Sequence, residues 1–566
     1  LGFEKSMNTD FDVCIIGSGA GAGPVALTLS EAGYSVIVLE KGPWFEEKDF
    51  YKDELAFKYD AYMPNLKDEQ HVIEKPDGNG GWNIKSTSET GRSFWRGNCV
   101  GGSSNFMSGF FYRLKPEDFR LLSKFGPIEG ANLVDWPISY DELEPYYTKV
   151  ESIVGVSGRV VQHPNLEQRS TSHFPYSPTL EHPFSEWFDD ACHNLGLHPL
   201  PTPRAILSSM NKMRQSCRYS GWCGSYGCAT GAKGSSRAAL LNPAIKTDQC
   251  EIRPHSKVYN LKSNSQGNVI AAEYYDKSGS SQQVDAKIFV VACQAIETSR
   301  LLLSSSGPRH KNGLANNSGQ VGRNLVFSAG GTGGGDFLYE NMDKSKAESL
   351  KYQGRFVNRG LQDWYVINDP KWGKRQKGGT IDFLLEHPGP IAKAINLKWD
   401  DSNNLIWGKE LKQSLKTHFT TKRHIKYEIF CDWLPTDNCF VSLDTQLKDK
   451  WGTPVSRVRV GYHSHDIKVG KYLEEKANNV LRALDLTNIH SSISGTAPPN
   501  LVAGGCRFGT NPENSVLDPD CRAHDIDNLY VTDGSFMPTG GSVPYTWTIY
   551  ANAFRVADKI VKHLGG

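Results

Sequence analysis

The chain has 566 residues, 38% hydrophobic and 22% charged, with a formal net charge of +1. That length exceeds one small domain and suits two or three intertwined ones with a substantial buried core. A charge near zero offers no electrostatic basis for nucleic acid or an anionic membrane as partner. No apolar run approaches the ~20 residues needed to span a bilayer. Residues 1–10 lack the apolar core of a signal peptide, as a processed chain would. The 55 Gly, 13 Trp and 23 Tyr predict many tight turns and an aromatic-lined site.

In chain order, Phe11-Asp12-Val13-Cys14-Ile15-Ile16 reads as an apolar strand running into the turn Gly17-Ser18-Gly19-Ala20-Gly21-Ala22-Gly23. A helix from Pro24 to Gly33 and a second strand, Ser35 to Leu39, end on Glu40. Glycines let a backbone approach a pyrophosphate at a helix N-terminus, and an acid about 20 residues on accepts from ribose hydroxyls. Strand, turn, helix, strand and acid in register predict a dinucleotide-binding core.

A polar, turn-rich segment, Lys48 to Thr90, precedes the glycine-rich stretch Arg96 to Ser104. Asp135 to Tyr140 leads into a helix, Asp141 to Ile153, with Asp141 and Glu142 in the first turn, where the helix dipole favours acids. Strands are predicted over Glu251–Leu261, Val269–Tyr275 and Ala286–Ala292, then a helix Ala295–Ser304. Alternating stretches between Gly330 and Arg459, including Tyr427–Trp433 and Val455–Val460, predict a large, mainly antiparallel sheet. A helix Val469–Leu484 follows, and Asn528–Gly566 returns to strand, loop and helix. There is no internal repeat.

The twelve cysteines do not form a disulfide framework; Cys14 and Cys293 sit in apolar strands, where a thiol acts as a small hydrophobe. Cys217, Cys223 and Cys228 stand apart, three within twelve residues among Gly, Ser and aromatics. Such a loop suits a soft metal centre, zinc or iron–sulfur, and with no histidine nearby zinc would need a fourth donor from elsewhere. Buried structural thiols are the alternative.

Six motifs in order give the chain its resemblance to the glucose–methanol–choline (GMC) family of FAD-dependent oxidoreductases. They are Gly17–Gly23 with Glu40, Gly101-Gly102-Ser103-Ser104, Val290 to Thr298, Val321 to Leu325, Gly505 to Gly509, and Asn528 to Ser535. Trp136 to Tyr140 with its helix looks most like bacterial gluconate, glucose and fructose dehydrogenase large subunits. The resemblance implies an α/β fold: a Rossmann-like FAD-binding domain with an inserted substrate domain on a mainly antiparallel sheet. The expected FAD-binding parts are residues 10–45, 91–110, 214–330 and 500–566. The substrate or cap parts are 46–90, 111–213 and 331–499. Gly17, Gly19, Ala22 and Glu40 would hold the ADP half. Gly102 and Ser103 would lie near the isoalloxazine, and Asp533 with Gly534 near the ribityl–pyrophosphate. Some relatives of this group carry an iron–sulfur cluster near the cysteine loop, often with one more cysteine where this chain has Ser220. Three cysteines, Cys217, Cys223 and Cys228, would fit a [3Fe-4S] cluster.

The chain also departs from the pattern. The histidine usual five residues before the Cys506 position is Leu501, and the His or Asn usual near the last helix falls on Pro544, followed by Tyr545. Neither Leu nor Pro accepts a proton. Asn500 and Tyr545 are the neighbouring candidates, although Asn is a poor base and the ordinary Tyr pKa is near 10. His463, His465 and His490 are more distant ones, and the base is unassigned.

The resulting expectation is an FAD-dependent dehydrogenase of a sugar, glycoside or polyol, moving a hydride from carbon to flavin N5. Electrons would leave through the cluster to a small subunit and a cytochrome acceptor. Two rivals stay open: a flavoprotein of this fold with chemistry other than alcohol oxidation, and a non-catalytic electron-transfer subunit. The resemblance implies a periplasmic or peripheral membrane location, with the cytoplasm also open.

Overall fold

The computed structural model describes residues 10–55, 62–90, 94, 97–400, 402–493 and 501–565. The first sheet is built on strand Phe11–Ile16, whose Val13, Cys14, Ile15 and Ile16 are all buried. A strand apolar on consecutive residues must be covered on both faces, as in a parallel sheet. It pairs in parallel with Val36–Leu39 on one side and Ser281–Val291 on the other, and Val36–Leu39 pairs in parallel with Cys250–Arg253. The long strand Ser281–Val291 changes partner along its length. Its first half pairs antiparallel with Val269–Tyr275, and its second half takes Leu529–Val531 in parallel. The last strand of the chain thus lies beside the first ones, and the final helix, Thr546–Gly565, packs on Gly23–Glu31.

The second sheet is antiparallel and centred on Lys422–Trp433, flanked by Gly331–Leu338 and Gly379–Leu385. Side chains alternate across a strand. Ile425, Tyr427, Ile429 and Cys431 accordingly enter a core closed by the helices Ser464–Ala483 and Phe184–Asn194. Lys426, Glu428, Phe430 and Asp432 take the other face. Leu325–Ser328 ties this sheet to Val502–Gly504, so the segment after residue 500 enters it directly. A third, four-stranded sheet joins Cys439–Lys448 and Pro454–Val460 to the hairpin Val72–Pro76/Trp82–Ser86. Among the described residues no helix is long and apolar enough to cross a membrane.

Several boundaries differ from expectation for local reasons. The first helix is Gly23–Glu31, because Gly33 adopts φ +88° and the Tyr34 N–H donates to the Leu29 carbonyl, a left-handed stop. The single strand expected over Glu251–Leu261 is two, Cys250–Arg253 and Lys257–Ser263, because Pro254 breaks the ladder. The helix expected from Asp141 starts at Tyr140, where Ser139 and Glu142 form a capping box. The helix expected from Val469 begins at Ser464, capped by the His463 ring, which accepts from the His465 N–H at 3.1 Å. The turn-rich Lys48–Thr90 segment contains the hairpin already described, closed by Asp77, whose carboxylate accepts from the Asn79 and Gly81 N–H groups.

Asp382 anchors the second sheet to its surroundings. It is fully buried and accepts from Thr202 Oγ1 at 2.9 Å and Tyr112 OH at 3.2 Å. Burial pushes its carboxyl up to about 7, with Arg204 opposing. A folded-state pKa above the unfolded value of about 3.9 contributes stability that is complete below pH ~4 and lost as pH rises through 7. The thermal midpoint should therefore fall from pH 5 to pH 8, and Asp382→Asn should flatten that fall; parallel calorimetric scans of both proteins check it.

Candidate active site

The turn after the first strand is held by Ser18. Its hydroxyl donates to Glu40 Oε2 at 2.5 Å and accepts from the Gly101 N–H at 2.9 Å, while its carbonyl accepts from Ser236 Oγ at 2.8 Å. Glu40 also accepts from the Gly42 N–H at 2.8 Å. Burial pushes this carboxyl up, and the Ser18 hydrogen bond opposes that. Glycine is required here by space. A Cβ on Gly17, at φ +93°, would lie 2.4 Å from the Ala292 carbonyl oxygen, and one on Gly21 2.6 Å from the Asp533 nitrogen. Gly19 is different: nothing lies within 4 Å of its would-be Cβ. The tight glycines pack protein on protein, and Gly19 faces open space.

That space is a cavity of about 340 Å³. Gly17, Gly19, Glu40, Gly102, Ser103, Asp533 and Gly534 line it. Ala22 does not: it is fully buried at the helix N-cap, where its N–H donates to the Gly19 carbonyl. Asp533 is fixed by four donors, Gln294 N–H and Thr298 hydroxyl on one oxygen, Ser535 N–H and hydroxyl on the other. Burial still pushes its carboxyl up. An open glycine edge at a helix N-terminus, with acids at both ends of the glycine turn's surroundings, fits a dinucleotide.

The cavity also has apolar lining, Met107, Phe110, Phe430, Leu501, Pro544 and Tyr545 among it. Leu501 and Pro544, at the positions where the resemblance implies proton-accepting residues, line this same cavity. Leu501 has φ +54°, the left-handed region. Tyr545 is buried, its hydroxyl has no hydrogen-bond partner among the described residues, and burial pushes it well above its ordinary pKa of 10. That burial disfavours the phenolate form. Asn500 lies outside the described residues. His463, His465 and His490 do not line the cavity; His463 caps a helix and His490 sits on an exposed strand.

Sequence reasoning missed Glu428. It lines the cavity from the second sheet, with Lys426 Nζ donating to its Oε1 at 2.9 Å. Read alone, Lys426 and Glu428 look like a solvated strand face; only closure of the sheet over the nucleotide domain turns them inward.

Cys217, Cys223 and Cys228 line a second cavity, of about 210 Å³, with Lys52, Arg204 and Lys233. Ser108 and Phe110 line both cavities, which makes them neighbours. Lys233 Nζ donates to the carbonyls of Asn105, Cys223 and Tyr226. Burial pushes the Cys217 thiol up to about 12; at Cys228 burial acts the same way, but Lys233 and Thr230 outweigh it and the thiol is lowered. Among the described residues no three His, Cys, Asp or Glu side chains are disposed around a single metal ion.

A nucleotide-binding sheet whose cavity runs into an apolar chamber under an antiparallel sheet defines a flavin-dependent oxidoreductase fold. The family model for GMC oxidoreductase matches residues 78–328 with its N-terminal part and 435–553 with its C-terminal part. The chain is 30% identical to 2-methyl-1,2-propanediol dehydrogenase of Mycolicibacterium austroafricanum, over 97% of this chain and 95% of that one. It is 29% identical to paromamine 6'-oxidase of Streptomyces fradiae (98% and 92%) and 27% to the fructose dehydrogenase large subunit of Gluconobacter japonicus (98% and 98%). Pyridoxine 4-oxidase from Mesorbium loti shares the fold, with TM-score 0.61 at 17% identity over 97% of this chain and 99% of that one. The chain belongs to the GMC oxidoreductase family, and is an FAD oxidoreductase acting on CH–OH donors.

Gly21→Ala places a methyl group against the Asp533 backbone, which cannot yield as a side chain would. FAD affinity should fall at least about tenfold, or about 1.4 kcal/mol, as measured by flavin released on dialysis; Gly19→Ala should weaken it through the open edge instead, without lowering the thermal midpoint of the apoprotein.

Proposed function

We propose that the chain is a dehydrogenase of a small polyhydroxy compound, a sugar, glycoside or polyol. The observation that carries this is the cavity itself: one space is lined both by the glycine turn and by apolar side chains, with Glu428 and Tyr545 among its walls. Apolar walls with a few placed polar groups orient a small ligand and exclude water. Similarity to dehydrogenases of a diol and of fructose supports the substrate class. When bound, FAD would supply the acceptor for the hydride of the carbinol C–H bond, which carries both electrons.

We further propose that Cys217, Cys223 and Cys228 hold a [3Fe-4S] cluster that carries electrons to a redox partner, a small subunit or cytochrome. Three thiols on one cavity wall beside Lys52 and Lys233 support it, because those cations offset the thiolate charge, and bridging sulfides let thiolates stand farther apart than a single ion allows. The wall shared through Ser108 and Phe110 gives the two centres proximity.

Anaerobic titration of the yellow protein with a panel of polyols, sugars and glycosides is expected to bleach the flavin with one class. Flavin reducible by dithionite but by no alcohol would move the assignment to other chemistry of this fold, which Leu501 and Pro544 favour. Iron and acid-labile sulfide, with an electron paramagnetic resonance signal lost in Cys223→Ser, test the cluster; their absence leaves an oxidase-type site without that exit.

A further inference from the structure

We infer that Glu428 is the proton acceptor of this active site, in place of the side chains that Leu501 and Pro544 do not supply. The inference rests on the alcohol-oxidising reading above. A hydroxyl group in an apolar chamber needs one acceptor for its proton and one donor for its oxygen. The hydroxyl residues Ser108 and Thr546 line the wall beside Met107 and Tyr545, and the second sheet contributes one carboxylate, Glu428. Tyr545 lines the cavity too, and its hydroxyl is buried with no partner among the described residues.

Glu428 is the acceptor. Glu40, Glu297 and Asp533 are the other carboxylates on the cavity wall, and all three belong to the nucleotide half. Glu40 and Asp533 are taken up by the hydrogen bonds that build the glycine turn and its neighbour. Glu428 comes instead from the second sheet, two residues before Phe430, which lines the same wall. Further along that face Asp432 accepts from the Gly541 N–H at 2.7 Å, which seats this strand against the loop that carries Pro544 and Tyr545. Lys426 occupies Oε1 only; Oε2 accepts from no described residue. Asp382, directly opposite on the neighbouring strand, is held by Thr202 and Tyr112 and does not line the cavity.

The step balances as follows. The substrate O–H bond breaks and its proton goes to Glu428 Oε2; the C–H bond breaks and its hydride, with both electrons, goes to the oxidised flavin; the C–O bond becomes C=O.

Glu428→Gln tests this with two readouts on the holoenzyme. Sulfite adds to the flavin ring and leaves it anionic, so a facing carboxylate weakens the adduct; the variant should bind sulfite roughly tenfold more tightly. Unchanged sulfite affinity overturns the proposal. With an alcohol that bleaches the wild type, the variant should reduce its flavin at least about 100-fold more slowly at saturation, with unaltered flavin content and thermal midpoint. A rate within threefold of wild type, or a rise in KM alone, overturns the proton role while alcohol oxidation stands. Failure of every alcohol to bleach the wild type overturns the alcohol reading and the proton step together.

Discussion

The contact on which the rest of the architecture depends is the one made by Ser18. Through one hydroxyl and one carbonyl it joins four stretches that are distant in sequence: the glycine turn, Glu40, Gly101 and Ser236. All are buried, in surroundings where each unmade bond costs about 1–3 kcal/mol. Because Gly101 precedes Gly102 and Ser103, the same side chain that shapes the pyrophosphate edge also fixes the second glycine loop against it. From the other side, Gly21 abuts the backbone of Thr532 and Asp533, so the last strand closes the cavity begun by the first. The cavity is a junction of chain segments, and its geometry is set by contacts of protein on protein.

This explains which parts were legible in the sequence. The nucleotide half announces itself because its constraints are local. A glycine needed for close approach, an apolar strand covered on both faces and an acid at a strand end each leave a residue type at a fixed spacing. The antiparallel sheet was legible as a class from the period-two pattern of Tyr427–Trp433. Its boundaries were less so, because Pro254, Gly33 and the His463 cap act through one residue each. Glu428 was hidden for a different reason. A Lys-x-Glu pair on a strand has the same appearance facing water or facing a cavity, and only the pairing of Leu325–Ser328 with Val502–Gly504 brings the sheet over the flavin end.

The cysteine loop shows the opposite case, where local pattern is compatible with more than one outcome. Three cysteines in twelve residues suit zinc, a cluster or packing. The fold places all three on the wall of one cavity. The loop's cations then matter, since Lys52 and Lys233 are bound to backbone carbonyls of the same loop and hold positive charge beside the thiols.

Leu501 makes the most informative contrast between backbone and side chain. A bulky residue in the left-handed region costs roughly 1–2 kcal/mol, and no glycine has replaced it. The next three residues pair with Leu325, Val326 and Phe327, so the register of the strand dictates the turn that precedes it. The backbone therefore keeps the geometry that presents position 501 to the cavity although its side chain can neither give nor take a proton. Backbone strain at Leu501 and an unpartnered buried hydroxyl at Tyr545 therefore meet on the wall of one cavity, the kind of coincidence that functional sites concentrate.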